Sequence, residues 1–439
     1  MQDTLLHSVY ICCLLFHRSS GLRLLRYFLL SLLRLVGPFG LSLCVLGLTA
    51  SPASANTPYN EAMQAISEGR LTDAERLLTS LIKDEPRHAG AWLDLAMLYC
   101  ASGNKAGAER LFLEIEQQFA PPPAILEVIS RQRLVGCQGW QARNDYTLRL
   151  TRGQESNANQ GASNPLFAFG SGLSQVELVL LPAYLPKPDS YKATYFELAR
   201  QITPNGLAAV MQFQTRHYDS LSEFNSNSVF LGVELPITWR NWVFKNSAAV
   251  GWMTLGERLY LRQEQLQLEV RPPINLPPGW QTSVAAGLKK FGYPTLPGFD
   301  AQWRELRGML SYTQPNYAIQ TSLSSVQDVQ SGQRPGGDRR GNLKGLSLRR
   351  AWTNEWSSEL GLQSQTWVGE RLYSPGLIDV LRQQQTLTKR MSLNWSYADN
   401  QALILEYKEV KNDENISIFG YRNKQWLLHW QWLPFAHRP

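Results

Sequence analysis

Residues 425–435, with the sequence QWLLHWQWLPF, decide how this chain of 439 residues folds. Large apolar side chains stand at every second position, namely Trp426, Leu428, Trp430 and Trp432. Polar side chains stand between them, namely Gln425, His429 and Gln431. Because successive side chains of a β-strand point to opposite faces of the sheet, this segment is a strand with one apolar and one polar face. Such a strand suits a sheet that has hydrocarbon on one side and water on the other.

The same alternation runs through the carboxyl-terminal two thirds of the chain. Residues 145–151 (DYTLRLT) and 258–270 (RLYLRQEQLQLEV) are two examples, and turn-rich pieces such as PNG at 204–206 separate the runs. A soluble β-sandwich would turn the apolar face inward. A transmembrane barrel would turn it outward and place aromatic rings near the strand ends as a girdle, and the many Arg, Gln, Glu and Lys residues of the second face favour this barrel. The candidate girdle residues are Trp280, Trp303, Trp352, Trp356, Trp367, Trp395 and Trp426.

The length of the predicted barrel, residues 140–435, sets its number of strands. Bacterial barrels have even strand numbers, and roughly 20 residues for each strand and its connection give 14 strands, with 16 as the alternative. The last strand is expected to end near Trp432 or Leu433, because Pro434 cannot donate to a β-ladder. Residues 436–439 form a short tail.

The first 55 residues have the pattern of a signal peptide. Arg34 precedes an apolar run at residues 35–48, and the run is followed by Ala53-Ser54-Ala55, the small-residue pattern that signal peptidase cleaves. An uncleaved membrane anchor is the alternative, but Pro38 interrupts the run that would have to span the bilayer. We therefore expect an exported protein.

A helical repeat precedes the barrel, within residues 56–139. Gly69 and Gly103 begin two similar segments that are 34 residues apart, the period of the tetratricopeptide repeat. The second copy carries the large and small residues of that repeat, namely Trp92, Leu95, Ala96, Tyr99, Ala108 and Phe112. A further helix after Pro123 is expected to cap this short α-solenoid. A plain spacer is the alternative function for these helices.

Cysteine usage supports export. Three of the five cysteines lie in the predicted leader, which leaves Cys100 and Cys137 in the mature chain. Two thiols in an oxidising compartment predict one disulfide, which would join the capping helix to the repeats, and two unpaired buried thiols are the alternative.

The formal net charge of +7 does not indicate a nucleic-acid partner, because the basic residues are scattered rather than clustered. His217, Asp219 and Ser220 are the only nearby trio that suggests nucleophilic catalysis. On one strand, however, Ser220 would point away from the other two, whereas catalysis needs the groups to converge. We expect no enzymatic activity, no cofactor and no metal site.

The order of leader, tetratricopeptide repeats and barrel resembles the surface lipoprotein assembly modulators, the Slam proteins, across nearly the whole mature chain. Residues 151–163 (TRGQESNANQGAS) are similar to the Asp-Ser-Asn-x-Asn turn of that family, with Glu155 where Asp is usual. Residues 412–435 are similar to its final hairpin. The chain has fewer repeats than the family, and related repeat-barrel porins that export polysaccharide share the architecture.

This resemblance implies an outer-membrane export or assembly factor with a periplasmic helical domain. Its partners would be an exported protein or lipoprotein client, outer-membrane lipid and the barrel assembly machinery, which reads the closing strand. The client groove would be lined by Asn60, Gln64, Asp94 and Tyr99. Six arginines are expected to face the lumen and to make it tolerant of anions, namely Arg149, Arg200, Arg216, Arg262, Arg304 and Arg349. Export of an exopolysaccharide and an outer-membrane hydrolase are the alternatives.

Overall fold

The computed structural model describes residues 58–135, 137, 142–170, 175–203, 205–239 and 241–433. The predicted leader at residues 1–55 and the predicted tail at residues 436–439 lie outside the described residues. The described chain has two parts, a group of helices followed by a closed antiparallel β-barrel. The predicted two-part architecture is therefore confirmed.

Five helices form the first part. They are α1 Pro58–Ser67, α2 Leu71–Asp84, α3 Ala89–Ala101, α4 Lys105–Phe119 and α5 Pro123–Val135. Buried alanines such as Ala65, Ala96 and Ala108 allow neighbouring helices to approach closely, and larger side chains such as Phe112 fill the remaining space. Within the described residues, no helix is long and apolar enough to cross a membrane.

The turns and the cap of the repeat follow from particular residues. Gly69 and Gly103 both have a positive φ, 74° and 80°, a conformation that glycine adopts without steric cost. The side chain of Asn104 accepts a hydrogen bond of 2.9 Å from the backbone N–H of Gly107 and so starts α4. A disulfide joins Cys100 at the end of α3 to Cys137 beyond α5.

The described residues of the second part form sixteen strands, of which fourteen close the barrel. The strands are β1 Asn144–Glu155, β2 Leu166–Phe169, β3 Val176–Val179, β4 Asp189–Gln201, β5 Ala208–Tyr218, β6 Ser226–Trp239, β7 Trp242–Leu255, β8 Arg258–Arg271, β9 Trp280–Gly292, β10 Ala301–Gln314, β11 Tyr317–Gln330, β12 Arg339–Ala351, β13 Trp356–Ser374, β14 Ile378–Ala398, β15 Gln401–Glu414 and β16 Tyr421–Trp432. Neighbours in sequence pair with each other, β1 closes the ring by pairing with β16, and β2 and β3 form a separate hairpin between β1 and β4.

The closing strand has the two faces that its sequence indicates. Trp426 and Leu428 are 55% and 52% exposed on the outer surface, whereas Gln425 and His429 are buried on the lumen side. In the register, Trp430 of β16 lies opposite Leu150 of β1, so apolar side chains continue on the outer face across the closing seam. The outer face is therefore the lipid-facing one.

Aromatic rings surround the end of the barrel at which β1 begins and β16 ends, here called the domain end. Trp356 stacks on Trp395 with 5.7 Å between ring centroids, and Trp280 lies 4.9 Å from Tyr312. Three predicted girdle residues do not belong to this ring. Trp426 is on the outer face but lies in the middle of β16. Trp303 and Trp367 point into the lumen and are 8% and 3% exposed. They lie near the opposite end of the barrel, here called the loop end.

Candidate functional site at the barrel lumen and its mouth

The turn between α1 and α2, residues 68–70, contacts the rim of the barrel at the domain end. Arg271, the last residue of β8, approaches the Glu68 carboxylate to 2.5 Å. Arg70 donates a hydrogen bond of 2.6 Å to the hydroxyl of Thr238 near the end of β6. These contacts place the helical domain at one mouth of the lumen.

The contact forms a small network of charges. Arg70 is 6% exposed and also pairs with Glu68 at 2.9 Å and with Asp73 at 3.0 Å. Burial alone would raise the pKa of Glu68, but the nearby Arg271 and Arg70 cations outweigh burial and lower the pKa below its ordinary value. Glu68 is therefore ionised at neutral pH and available to hold Arg271.

We expect the substitution Glu68→Lys to release the helical domain from the rim, because it places a cation beside Arg271 and Arg70. Spin labels on cysteines introduced at the exposed residues Gln117 and Glu355 measure the distance between the domain and the rim. The narrow distance distribution of the parent protein should become broad. The double variant Glu68→Lys, Arg271→Glu should restore it, and Glu85→Lys on the exposed end of α2 should leave it unchanged.

The same measurement has a predicted pH dependence. A carboxylate whose pKa is depressed by a contact stabilises that contact above its ordinary pKa, here 4.5, and loses the effect as the pH falls through the depressed value. The distance distribution should therefore stay narrow at neutral pH and broaden only under acid conditions. A distribution that stays narrow in Glu68→Lys at every pH would show that these charges do not hold the domain.

The four predicted groove residues have different surroundings. Asn60 is exposed. Gln64 donates a hydrogen bond of 3.0 Å to Glu68, and Asp94 accepts one of 2.7 Å from the hydroxyl of Tyr59. That hydrogen bond, together with burial, raises the pKa of Tyr59 to about 12.

Tyr99 is partly buried between helices. A Cβ atom on Gly107 would lie 2.7 Å from the Tyr99 ring, so the ring packs directly on the start of α4. Burial and the neighbouring Glu75 carboxylate raise the pKa of its hydroxyl. Tyr99 and Gln64 therefore hold the domain together, while Asn60 is open to a partner.

Three of the six predicted lumen arginines lie on the lumen face. Arg149 donates to Gln431 at 2.6 Å and 3.0 Å. Arg216 lies 3.7 Å from Glu155, and Arg349 lies opposite Glu359 in the register of β12 and β13.

The other three predicted lumen arginines are on the outer face, so these predictions are wrong. Arg200 shares its face of β4 with the outward-facing Phe196 and Leu198. Arg262 lies opposite the outward-facing Trp252, and Arg304 lies opposite the outward-facing Leu288. The alternation fixes which residues of a strand share a face, but it does not say which face is the lumen when both faces carry charge.

Carboxylates accompany the cations of the lumen. Arg307 pairs with Glu305 at 2.7 Å, and Arg382 pairs with Glu414 at 2.6 Å. Arg390 pairs with Glu359. Charges of both signs therefore line the lumen, and several of its arginines are paired with carboxylates.

Glu155 is the centre of a buried polar cluster at the loop end. It accepts hydrogen bonds from Asn423 at 2.6 Å, from Gln425 at 2.8 Å and from the hydroxyl of Tyr218. The next turn continues this cluster, because the fully buried Asn157 bonds through its backbone N–H to Asn423. The turn that resembles the Asp-Ser-Asn-x-Asn motif thus fixes the long loop 156–188 to β16.

An aromatic cluster lies on another part of the same end. The rings of Trp303 and Trp367 are 5.0 Å apart and meet edge to face, and Val326 packs beside them. Arg339 lies over the Trp367 ring at 4.8 Å and pairs with Asp328 at 2.6 Å. The sequence alone did not reveal this cluster, although Trp303 is followed on its own face of β10 by Glu305 and Arg307, and an aromatic residue on a charged face was a usable signal.

The three residues of the suggested catalytic trio are not brought together. Asp219 pairs with Arg152 at 2.5 Å, and the backbone N–H of Ser220 donates to Asp189 at 3.0 Å. His217 lies opposite Lys192 in the register of β5 and β4. Within the described ranges, no group of three His, Cys, Asp or Glu side chains is arranged to hold a metal ion.

These features define a class of protein, a fourteen-stranded barrel of the outer-membrane type with a helical repeat domain at one mouth. The tetratricopeptide-repeat family profile matches residues 65–131. No curated protein matches the sequence of the chain.

Several solved structures are similar to the barrel. OmpT of Vibrio cholerae without loop L8 is 8% identical with a TM-score of 0.37, and the match covers 66% of this chain and 99% of that one. An anion-selective porin from Comamonas acidovorans is 9% identical with a TM-score of 0.35, covering 67% and 99%. The outer-membrane channel DcaP of Acinetobacter baumannii is 9% identical with a TM-score of 0.37, covering 67% and 97%. Similarity at this level carries no information about substrate or partner.

Proposed function

We propose that this protein is an outer-membrane export or assembly factor. The helical domain binds a client in the periplasm, and the barrel helps to move that client to the cell surface. A surface lipoprotein is the favoured client. The observation that carries the proposal is the contact of the 68–70 turn with Thr238 and Arg271, because it holds a protein-binding repeat at the mouth of the lumen.

The orientation of the barrel supports a periplasmic helical domain. Bacterial barrels have short turns on the periplasmic side and longer loops on the cell surface. The domain end has the two-residue turns 315–316 and 399–400, whereas the long connection between β1 and β4 lies at the loop end. We therefore assign the domain end to the periplasm.

Export of an exopolysaccharide is the second candidate. A channel for a sugar polymer needs carboxylates and aromatic rings along its lumen, since rings pack on the apolar faces of sugars and carboxylates accept from hydroxyls. Trp303 and Glu305 lie on the same lumen face of β10, and the Trp367 ring is 5.0 Å from that of Trp303. We propose no enzymatic activity, because Asp219 is paired with Arg152.

Photo-crosslinking in living cells tests the proposal. A photoreactive amino acid is introduced at Asn60, which is exposed on α1, and at Arg349, which faces the lumen close to the domain end. The same lipoprotein should be crosslinked at both positions, because a client passes from the helical domain to the barrel. A photoreactive residue at Glu85, on the far end of α2, is the matched control and should capture much less of it.

Two results would change the conclusion. A glycan adduct at Arg349, without a protein adduct at Asn60, would replace the lipoprotein by a polysaccharide. A lipoprotein that is captured at Asn60 but reaches the cell surface equally well without this protein would contradict the export role.

A further inference from the structure

The outer face of the barrel changes character along the strands. Near the domain end it is apolar, and Leu266 and Leu323 are 58% and 59% exposed there. Farther toward the loop end, the outward positions of the same strands become polar or charged. On β12, for example, Leu346 is followed in this direction by Lys344 and Arg340 on the same face. On these strands, the apolar outer positions therefore lie nearer the domain end than the charged ones do.

A group of exposed cations borders the belt on four strands, and we call it the basic patch. Its members are Arg262, Lys290, Arg304, Arg340 and Lys344. Arg304 lies opposite Gln327 of β11, and Gln327 lies opposite Arg340 of β12. Arg304 and Arg340 are thus in register and two strands apart, a separation of about 10 Å.

The patch keeps an excess of positive charge. Lys290 lies 4.0 Å from Glu264, and Arg340 lies 2.6 Å from Glu370. Within the described part of the chain, no ion pair involves the side chains of the other three members, Arg262, Arg304 and Lys344. An anion that reaches this face therefore meets unpaired cations.

The position of the basic patch beside the apolar belt determines which kind of anion it meets. Arg304 lies directly opposite Leu288 of β9, and Lys344 lies directly opposite Leu323 of β11, so each cation has an outward-facing leucine of the apolar belt as its neighbour. A side chain at the border of the belt is beside the headgroups of the lipids whose acyl chains cover the belt, and a Lys or Arg there is attracted to an anionic lipid surface.

We propose that the basic patch binds the phosphorylated headgroup of a lipid in the leaflet on the loop side of the barrel. The acyl chains of that lipid cover the leucines of the belt, and its phosphates lie between Arg304, Arg340 and Lys344. The inference rests on the proposed orientation, in which the loop end faces the cell surface. The patch is continuous with the lipid-facing belt, and this favours a lipid over a soluble anion.

Native mass spectrometry of the purified full chain in detergent tests this assignment, with bisphosphorylated lipid A as the probe. The variant Arg304→Gln, Lys344→Gln, which removes two cations without a carboxylate partner, should bind the lipid about thirtyfold more weakly. The matched control, Lys389→Gln, Lys411→Gln, removes two outer cations that each have a carboxylate partner, namely Glu409 and Asp413. It should bind within about twofold of the parent protein, because those cations are already neutralised.

Competition and folding measurements complete the test. Inorganic phosphate should not displace lipid A, and phosphatidylcholine should bind all three proteins equally and weakly. Circular dichroism verifies that each variant retains its barrel. Equal binding of lipid A by the patch variant and the control would overturn the proposal, and displacement by inorganic phosphate would replace the lipid by a soluble anion. Because no client is present, this result is independent of the crosslinking test of function.

Discussion

Reduction of the Cys100–Cys137 disulfide should lower the melting temperature of the helical domain by about 15 to 25 °C. The two cysteines are 37 residues apart, and closing a loop of this length in the unfolded chain is worth about 4 kcal/mol in the chain-entropy model. The domain has only five short helices, so this contribution is a large part of its stability. The bond also fixes the segment after the capping helix α5 to the end of α3, as expected from the sequence.

The measurement is thermal unfolding of the full chain in detergent, followed by the helical circular dichroism signal with and without reductant. The double variant Cys100→Ala, Cys137→Ala is the control, since it should melt at the lower temperature and should not respond to reductant. Barrel unfolding, followed by heat-dependent mobility on gels, should be the same in all samples. A helical signal that melts at one temperature under oxidising and reducing conditions would refute the role given to the bond.

Replacement of Glu155 by alanine should destabilise the barrel by about 3 to 5 kcal/mol, because it leaves a buried cation without its partner. Glu155 is 3% exposed and lies 3.7 Å from Arg216, which also lies over the Tyr191 ring at 4.3 Å. The same substitution removes the acceptor of the side chains of Asn423 and Gln425.

Urea-dependent folding into lipid vesicles measures this loss as a shift of the midpoint. Glu264→Ala removes an exposed carboxylate from the outer face and is the matched control, with an expected change within about 0.5 kcal/mol. The loop 156–188 should also become sensitive to protease in Glu155→Ala, since Asn157 is fixed to Asn423. Equal midpoints for the two variants would show that Arg216 does not depend on Glu155.

Periodicity accounts for the features that were predictable from the sequence. The 34-residue spacing of Gly69 and Gly103 identifies the repeat, because both positions need the same left-handed turn. The alternation in the closing strand identifies the barrel, because a lipid-facing strand must place Trp426 and Leu428 on one face. Both are local rules, in which each residue is constrained by neighbours a few positions away.

The sidedness of individual strands was harder to predict. On β8, Leu261 is buried on the inner side beside Met253 and Tyr293, whereas Leu266 is 58% exposed on the outer side. Apolar residues thus occur on both faces of one strand, and the cations Arg262 and Arg304 lie on the outer face of strands that also carry the exposed Leu266 and Leu306. The alternation of apolar and polar residues does not show which part of each strand the membrane covers.

The sequence by itself determined that this protein joins a helical repeat to a membrane barrel, because the periodicity of each element depends only on residues that are close together in the sequence. Only the tertiary structure decided how the two parts meet and what fills the lumen. Glu68 and Arg271 are separated by 203 residues, and Trp303 and Trp367 meet across two intervening strands. Such contacts depend on how every strand between the partners pairs with its neighbours. No local sequence pattern determines all of these pairings together.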